Sequence, residues 1–244
     1  MKELALIDGD LITYPCAASA ENDPLDIAIS RANELLHRII FETAAKEYQV
    51  FLGGSGNFRY DIYPLYKANR LDKPRPVHLD AVREFLCNEW KAELVNGIET
   101  DDKLGIEHNR HGLSSILCSF DKDMLQLPGY HYNWKRQAEL LVSPYDGLRS
   151  FYAQVLAGDG ADNIPSFDGK VRSKVPKFIE ELQEPLIDMT EEQEMYEYVK
   201  THFEDIEVFH RNCKLLYILR EEGVFWQPPS ERSNDENHAS LSQN

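Results

Sequence analysis

The sequence predicts an α/β fold, a central and mostly parallel sheet flanked by helices, followed by a helical C-terminal region. Three observations carry this expectation. Short apolar runs at residues 4–7, 50–52, 94–95 and 116–118 have the length and composition of buried strands. The segments between them repeat their apolar residues at helical spacing. From residue 175 onward the pattern is helical alone.

The elements follow in order. The first strand, residues 4–7, ends on Asp8-Gly9-Asp10. Asp23 as N-cap and Pro24 at the first helical position predict a helix in which Ile27, Ala28, Leu35, Leu36, Ile39 and Ile40 share a face, running to about Tyr48. The strand at 50–52 is broken by Gly53, Gly54 and Gly56, and a polar loop leads to YKANR at 66–70. Residues 77–93 read as a second amphipathic helix, 94–95 as a very short strand, and 99–109 as a helix with acids in its first turn. The apolar strand around 116–118 then runs out to Asp121 and Asp123, which an extended chain would put on one side. A brief helix, a strand at 130–134, another at 140–142 and a helix opened by Pro144 lead to Ala157. GDGADNIP, residues 158–165, is a tight polar turn, and 209–220 is amphipathic. The expected organisation is a sheet domain at 1–157, a helical region at 158–226 and a polar, disordered tail at 227–244.

Composition narrows the function. With 42 acids against 26 Lys plus Arg, the net charge of −16 argues against a simple electrostatic nucleic-acid binder. The excess is local, because residues 178–207 hold eleven acids and a single lysine, Lys200. Basic residues gather instead at 59–75 and 170–177. Cys16, Cys87, Cys118 and Cys213 form no Cys-x-x-Cys pair, which suits a reduced, cytoplasmic protein better than a disulfide scaffold or a zinc site. Two aspartates in the first ten residues exclude a signal peptide, and no run has the apolar length to span a bilayer.

Four acidic groups fall where strands end or helices begin: Asp8 with Asp10; Glu99, Asp101 and Asp102; Asp121 and Asp123; Asp159 and Asp162. Singly, each has a plain structural explanation as a helix cap, a turn residue beside glycine or a solvated strand exit. Together they fall at the rim of one expected sheet, where ligands of open parallel sheets bind. Crowded carboxylates repel unless cations lie between them, and hard oxygen donors suit Mg²⁺ or Mn²⁺. Lys67 and Arg70, three apart and so on one face of a helix, would supply phosphate-binding cations, with Tyr66 beside them and Arg59, Lys73 and Arg75 extending the positive run. Metal-bound carboxylates joined to such cations suit phosphodiester hydrolysis by a pair of ions. No Ser, Cys or His nucleophile is needed for it.

These residues resemble the 5′-nuclease superfamily: flap endonucleases, phage 5′→3′ exonucleases and the 5′-nuclease domain of bacterial DNA polymerase one. IDGD (7–10), YKANR followed by Lys73-Pro74, ETDD (99–102), SFDKD (119–123) and GDGADNIP occur in the family's order and spacing over residues 4–165. The ending LLYILREEGVFWQPP looks like that of replication-associated podophage exonucleases. The resemblance implies a PIN-like nuclease domain over 1–157 and metal ligation by Asp8, Glu99, Asp101, Asp121 and Asp123. Asp102 would act directly or through water, and Asp159 and Asp162 at a second metal. It further implies that Lys67 and Arg70 steer the scissile phosphate while Tyr66 stacks on an unpaired base. Two Mg²⁺ or Mn²⁺ ions per site are expected, with a monovalent cation in the helical DNA-binding region. The expected partners are DNA with 5′ ends, flaps or RNA primers, and replication proteins. The chain is expected to be monomeric and, if phage-encoded, to work in the host cytoplasm in phage DNA replication.

Two departures from the family stand out. Gly54 occupies a position where an Asp is usual, which removes one ligand. Residues 167–171, FDGKV, replace a Gly-x-x-Gly-x-Gly pattern, so the helix-two-turns-helix is degenerate; Lys170, Arg172, Lys174 and Lys177 would still hold duplex backbone, with Arg59 and Lys73 as further DNA contacts. Two rivals are a haloacid-dehalogenase-like phosphatase using Asp8 through an aspartyl-phosphate, and a catalytically weakened DNA-structure-binding protein. Ile12, where the phosphatase motif has Thr or Val, opposes the first, and Gly54 motivates the second.

Overall fold

The computed structural model describes residues 2–70 and 74–232 of the chain. Strand β1 (Leu4–Asp8) leads into α1 (Asp10–Ser19) and α2 (Leu25–Thr43). Strand β2 (Glu47–Gly53), the short α3 (Arg59–Ile62), α4 (Leu79–Glu89), β3 (Glu93–Val95) and α5 (Thr100–His111) follow. Next come β4 (Ser115–Cys118), β5 (Gly129–Asn133), β6 (Ala138–Val142) and α6 (Pro144–Ala157). The C-terminal region holds α7 (Lys177–Gln183), α8 (Glu192–Lys200) and α9 (Ile206–Leu216).

The six strands lie in the order β3-β2-β1-β4-β5-β6. All neighbours are parallel except β6, which runs antiparallel to β5. The chain leaves β1 toward one edge and β4 toward the other, so the carboxyl ends of these adjacent strands flank the switch point, with Ile7 level with Cys118. Helices α1, α2 and α4 cover one sheet face, where Ile12, Ala32, Leu36, Val82 and Leu86 pack on Ile7, Val50, Leu52 and Ile116. On the other face Leu104 of α5 joins Leu6, Phe51 and Leu117. A third core joins α6, α8 and α9 through Tyr152, Val155, Met195, Val199, Phe209 and Cys213. Gly105 lets α5 touch the segment after α9, because a Cβ there would lie 2.4 Å from the Leu219 carbonyl oxygen.

Several elements differ from expectation. Helix α1 is not announced by the sequence, because Pro15 lies inside it and its apolar residues are spread round the helix rather than gathered on one face. Helix α2 starts at Leu25, Asp23 being taken by Arg31 at 3.1 Å, and ends at Thr43 where Ala44 turns left-handed (φ 53°). Asp121 keeps extended backbone (φ −70°, ψ 129°), but Asp123 does not. Asp121 caps a 3-10 turn over Lys122–Gln126, its Oδ1 accepting the Asp123 N–H at 2.9 Å. Residues 158–176 contain no helix and join α6 to α7 through turns alone. Within the stretch expected as a tail, Pro229–Glu231 form a 3-10 turn and Arg232 pairs with Glu192 at 2.7 Å, while 233–244 lie outside the described residues.

One buried group sets a pH dependence. His108 of α5 presents Nε2 to the Pro128 carbonyl at 2.9 Å and Nδ1 to the Ser115 hydroxyl at 2.7 Å. Burial first, and His131 second, push its pKa down to about 4. The unfolded chain therefore takes up a proton near pH 6.5 that the folded protein refuses. The contribution is complete above that pH and is lost as pH falls toward 4. Urea unfolding at pH 7.5 and pH 5 should show the wild type losing about 2 kcal/mol more than His108→Gln. Equal losses would contradict this role for His108.

Candidate active site

Eight acids from four separate segments line one open cleft of about 510 Å³, Asp10 at the start of α1 among them. Asp8 stands at the end of β1, Glu99 and Asp101 at the start of α5, and Asp121 and Asp123 in the turn after β4. Asp159 and Asp162 belong to the turn after α6. Each group is oriented by nearby donors. Asp8, 3% exposed, accepts from the Leu11 N–H at 3.2 Å and the Ser119 hydroxyl at 3.4 Å. Asp159 accepts from the Ala161 and Asp162 N–H groups at 2.6 and 3.1 Å.

Proximity and burial make these carboxylates hard to ionise together. Burial, then Asp10 and Asp121, push Asp8 up to about 7. Burial, then Asp121 and Asp159, do the same to Asp123. Asp101 rises well above the ordinary range through burial and the charges of Asp8 and Asp121. Among the described residues no three acids close on one point as a finished ligand set; they ring the cleft instead. The donors still fit a hard divalent cation, being carboxylate oxygens with no thiolate or imidazole among them. The buried Asp123 Oδ1 also has no hydrogen-bond partner.

The cations enter from the opposite lip. Lys67 is left-handed (φ 54°), its N–H donates to the Asp162 carbonyl at 2.9 Å, and its ammonium pairs with Glu99 and lies 3.6 Å from Asp162. Arg70 closes the 3-10 turn Ala68–Arg70, donates to the Ala161 carbonyl at 2.9 Å and pairs with Asp162. The helical face expected for this pair is absent, because Lys67 precedes the turn; local turn geometry brings both into the cleft instead. Two further cations escaped the sequence reading. Lys122 lies 3.7 Å from Asp159 and 3.9 Å from Asp123, and its signal was its place between two site aspartates. Arg83 of α4 holds Asp10 at 2.6 Å, where Asp10 also accepts from the Gly53 N–H and the Thr100 hydroxyl. No motif marks Arg83.

Other expected site residues lie elsewhere. Asp102 is not a metal ligand and Arg59 is not a DNA contact, because each is buried against the other. Arg59 donates from Nη1 to Asp102 Oδ2 at 2.6 Å and from Nη2 to Oδ1 at 2.8 Å. Arg59 also donates to the Leu215 and Tyr217 carbonyls, while Asp102 accepts from the Glu99 and Leu219 N–H groups at 3.0 Å. Tyr66 cannot stack on a base: it is 2% exposed, and its hydroxyl faces Glu99 at 2.9 Å and Asp162 at 2.8 Å. Arg172 is folded back on Asp168 through a pair of hydrogen bonds. Lys170, Lys174 and Lys177 are exposed, Lys177 lies 3.5 Å from Glu181, and none of these four basic residues lines the cleft. Lys73 lies outside the described residues. Gly54 has a packing reason, since a Cβ there would sit 2.4 Å from Asn96 Oδ1 and 2.6 Å from the Val95 carbonyl oxygen.

Four of the five Arg59 N–H groups and both Asp102 oxygens are hydrogen-bonded, so the cost falls on whichever partner is left alone. Arg59→Met and Asp102→Asn should each destabilise the protein by about 3–5 kcal/mol in urea unfolding. The double variant Arg59→Met/Asp102→Asn should lose less than the sum of the two single losses. Strict additivity would show that the two side chains do not act as a unit.

No family model matches the chain. Over 196 residues it is 26% identical to a thermostable DNA polymerase I of Thermus thermophilus, covering 72% of this chain and 24% of that protein. Over 201 residues it is 26% identical to a DNA polymerase I of Chloroflexus aurantiacus, covering 68% of this chain and 21% of that one. The chain thus spans less than a quarter of the length of these curated relatives. Among solved structures it is similar to a bacteriophage T5 flap endonuclease in a pseudo-enzyme–product complex with DNA and metal ions, with a TM-score of 0.63 and 18% identity over 88% of this chain and 89% of that one. A T5 5′-exonuclease with bound divalent metal ions (zinc) aligns over the same shares, with a TM-score of 0.60 and 18% identity. The chain therefore has the fold of these phage nucleases, and the resemblance to the 5′-nuclease superfamily that its motifs carry extends to its architecture.

Proposed function

We propose that the chain is a divalent-metal-dependent 5′ nuclease that hydrolyses phosphodiester bonds in DNA, as a 5′→3′ exonuclease or at flaps, with RNA primers on DNA as further substrates. The observation that carries this reading is the convergence of carboxylates from four chain segments on one cleft, facing Lys67 and Arg70. Asp8, Asp101, Asp121, Asp123 and Asp159 would hold Mg²⁺ or Mn²⁺, two ions in the fuller form of the proposal. Such ions, when bound, lower the pKa of water and offset charge on the leaving oxygen. The T5 flap endonuclease of the same fold was solved with DNA and metal ions, which supports both parts.

The chain's own residues bind and position the substrate. Burial opposes the charge on Lys67, but Glu99 and Asp162 outweigh it and hold its pKa above the ordinary value. An ammonium so maintained can transfer from carboxylate to phosphate and meet the negative charge that grows in the transition state. Arg70, at the exposed end of the same turn, adds a planar fork for phosphate oxygens. Net charge keeps DNA away from most of the surface, so binding depends on this local lip and weakens steeply with salt. The phosphatase reading is disfavoured by Asp10, which is tied to Arg83, Thr100 and Gly53 rather than free to move a proton.

Digestion of 5′-labelled duplex, flap and RNA-primed substrates tests the proposal. Short 5′ products should appear with Mg²⁺ and none with EDTA. Asp121→Asn should abolish cleavage while leaving flap binding measurable, and Lys67→Ala should lower kcat by roughly 100-fold or more. Equal cleavage in EDTA, or turnover of small phosphate esters but not DNA, would contradict it. A Lys67→Ala loss that high enzyme concentration restores would make that lysine a binding group only.

A further inference from the structure

Arg83 is a cation behind the cleft wall, carried by a helix that supplies no lining residue to the cleft among those described. Helix α4 seals its sheet face with Val82 and Leu86, which pack with Ile12 of α1. The residue next to Val82 falls at the rim of that core, and Arg83 is half-buried there. Its guanidinium spans two segments. Nη1 donates to Asp10 Oδ1 at 2.6 Å, and Nη2 donates to the Gly53 carbonyl. The other oxygen of Asp10 accepts from the Gly53 N–H at 2.8 Å and from the Thr100 hydroxyl at 2.7 Å. Both oxygens of Asp10 and both backbone polar groups of Gly53 are thereby engaged. Thr100 stands between Glu99 and Asp101, so the network joins the turn after β1, the end of β2 and the first turn of α5. Lys67, Arg70 and Lys122 line the cleft and face its open space, whereas Arg83 reaches it through Asp10 alone.

We infer that Arg83 latches Asp10 out of the metal site, so that Asp8 and not Asp10 is the ligand this turn supplies. The inference rests on the metal-dependent reading and adds to it a residue that decides which acids the ions meet. Asp10 lines the cleft and its charge is felt at Asp8, so an unlatched Asp10 would attract a divalent ion as its neighbours do. Paired with a guanidinium it adds no net charge, and its oxygens already accept from three groups. Taking Asp10 into a ligand set would also break its bond to Thr100 and loosen the turn that presents Glu99 and Asp101. Arg83 is thus a positioning residue that acts through Asp10.

Calorimetric titration of the full chain with Mn²⁺ alone tests the latch through a cycle of variants. Arg83→Met should tighten Mn²⁺ binding about tenfold, since it exposes one carboxylate charge beside the site. Asp10→Asn should weaken binding, because Arg83 is left uncompensated. The double variant Asp10→Asn/Arg83→Met should return to wild-type affinity, both members of a neutral pair being gone. A plain structural brace would instead weaken binding in Arg83→Met and leave the double variant at least as weak, and that result would overturn the latch. A double variant as weak as Asp10→Asn would overturn it too, because Asp10 would then be a ligand in its own right. Should Arg83→Met fail to fold, the double variant alone decides between these outcomes. Mn²⁺ binding by the wild type with no response to Arg83→Met would overturn the latch and leave the metal-dependent reading standing. A wild type that binds no Mn²⁺ would sink that reading and the latch with it.

Discussion

Repulsion among carboxylates is the constraint to which this structure answers. Eight acids gather where water is partly excluded, and the pKa values of Asp8, Asp101 and Asp123 are all raised by burial and by neighbouring acids. A fold selected for stability alone would disperse them. Here the sheet topology gathers them, because the switch point between β1 and β4 brings two strand ends together and α5 starts beside them. The chain offsets the repulsion from three sides, with Lys67 and Arg70, with Arg83 on Asp10, and with Lys122. Those of Lys67, Arg70 and Lys122 can be exchanged, as the proposed nuclease function would require.

The fixed part of the frame lies one layer deeper. Arg59 and Asp102 join the segment after the glycine loop, the first turn of α5 and the stretch following α9. That pair holds Glu99 through its N–H, so one wall of the cleft is tied to the C-terminal helices rather than to the sheet alone. Lys67 completes the division of labour from the other side. Its backbone is anchored on Asp162, while its side chain remains in the cleft. Buried pairs therefore set position, and half-exposed pairs at the surface of the cleft remain available for substrate.

The sequence revealed the sheet and most of the acids because both leave local marks. Apolar runs located β1, β2, β3 and β4, and Asp8, Glu99, Asp101, Asp121, Asp123, Asp159 and Asp162 stand at element boundaries that periodicity exposes. The errors share one cause: burial is not written in a motif. Asp102 and Arg59 carry the same charges as their neighbours, and only the packing of residues 215–219 shows that they face each other. Tyr66 and Tyr60 are both tyrosines near the basic lip, yet the fold buries one and exposes the other. Arg83 lies on a helix with no site motif and meets Asp10 from 73 residues away. Gly54 read as a lost ligand, and the structure adds that the strand packed behind it excludes any side chain.

The acids of the cleft are destabilising in themselves, and on the proposed function divalent cations make them tolerable. Unfolding of the wild type and of Asp121→Asn, each in EDTA and in Mg²⁺, measures this directly, since the amide keeps the Oδ1 acceptor for the Asp123 N–H and removes only charge. In EDTA the variant should be at least as stable as the wild type. In Mg²⁺ at about a hundred times its dissociation constant the wild type should gain about 2.7 kcal/mol per ion, and the variant clearly less. A variant weaker in EDTA that gains as much from Mg²⁺ as the wild type would contradict the account.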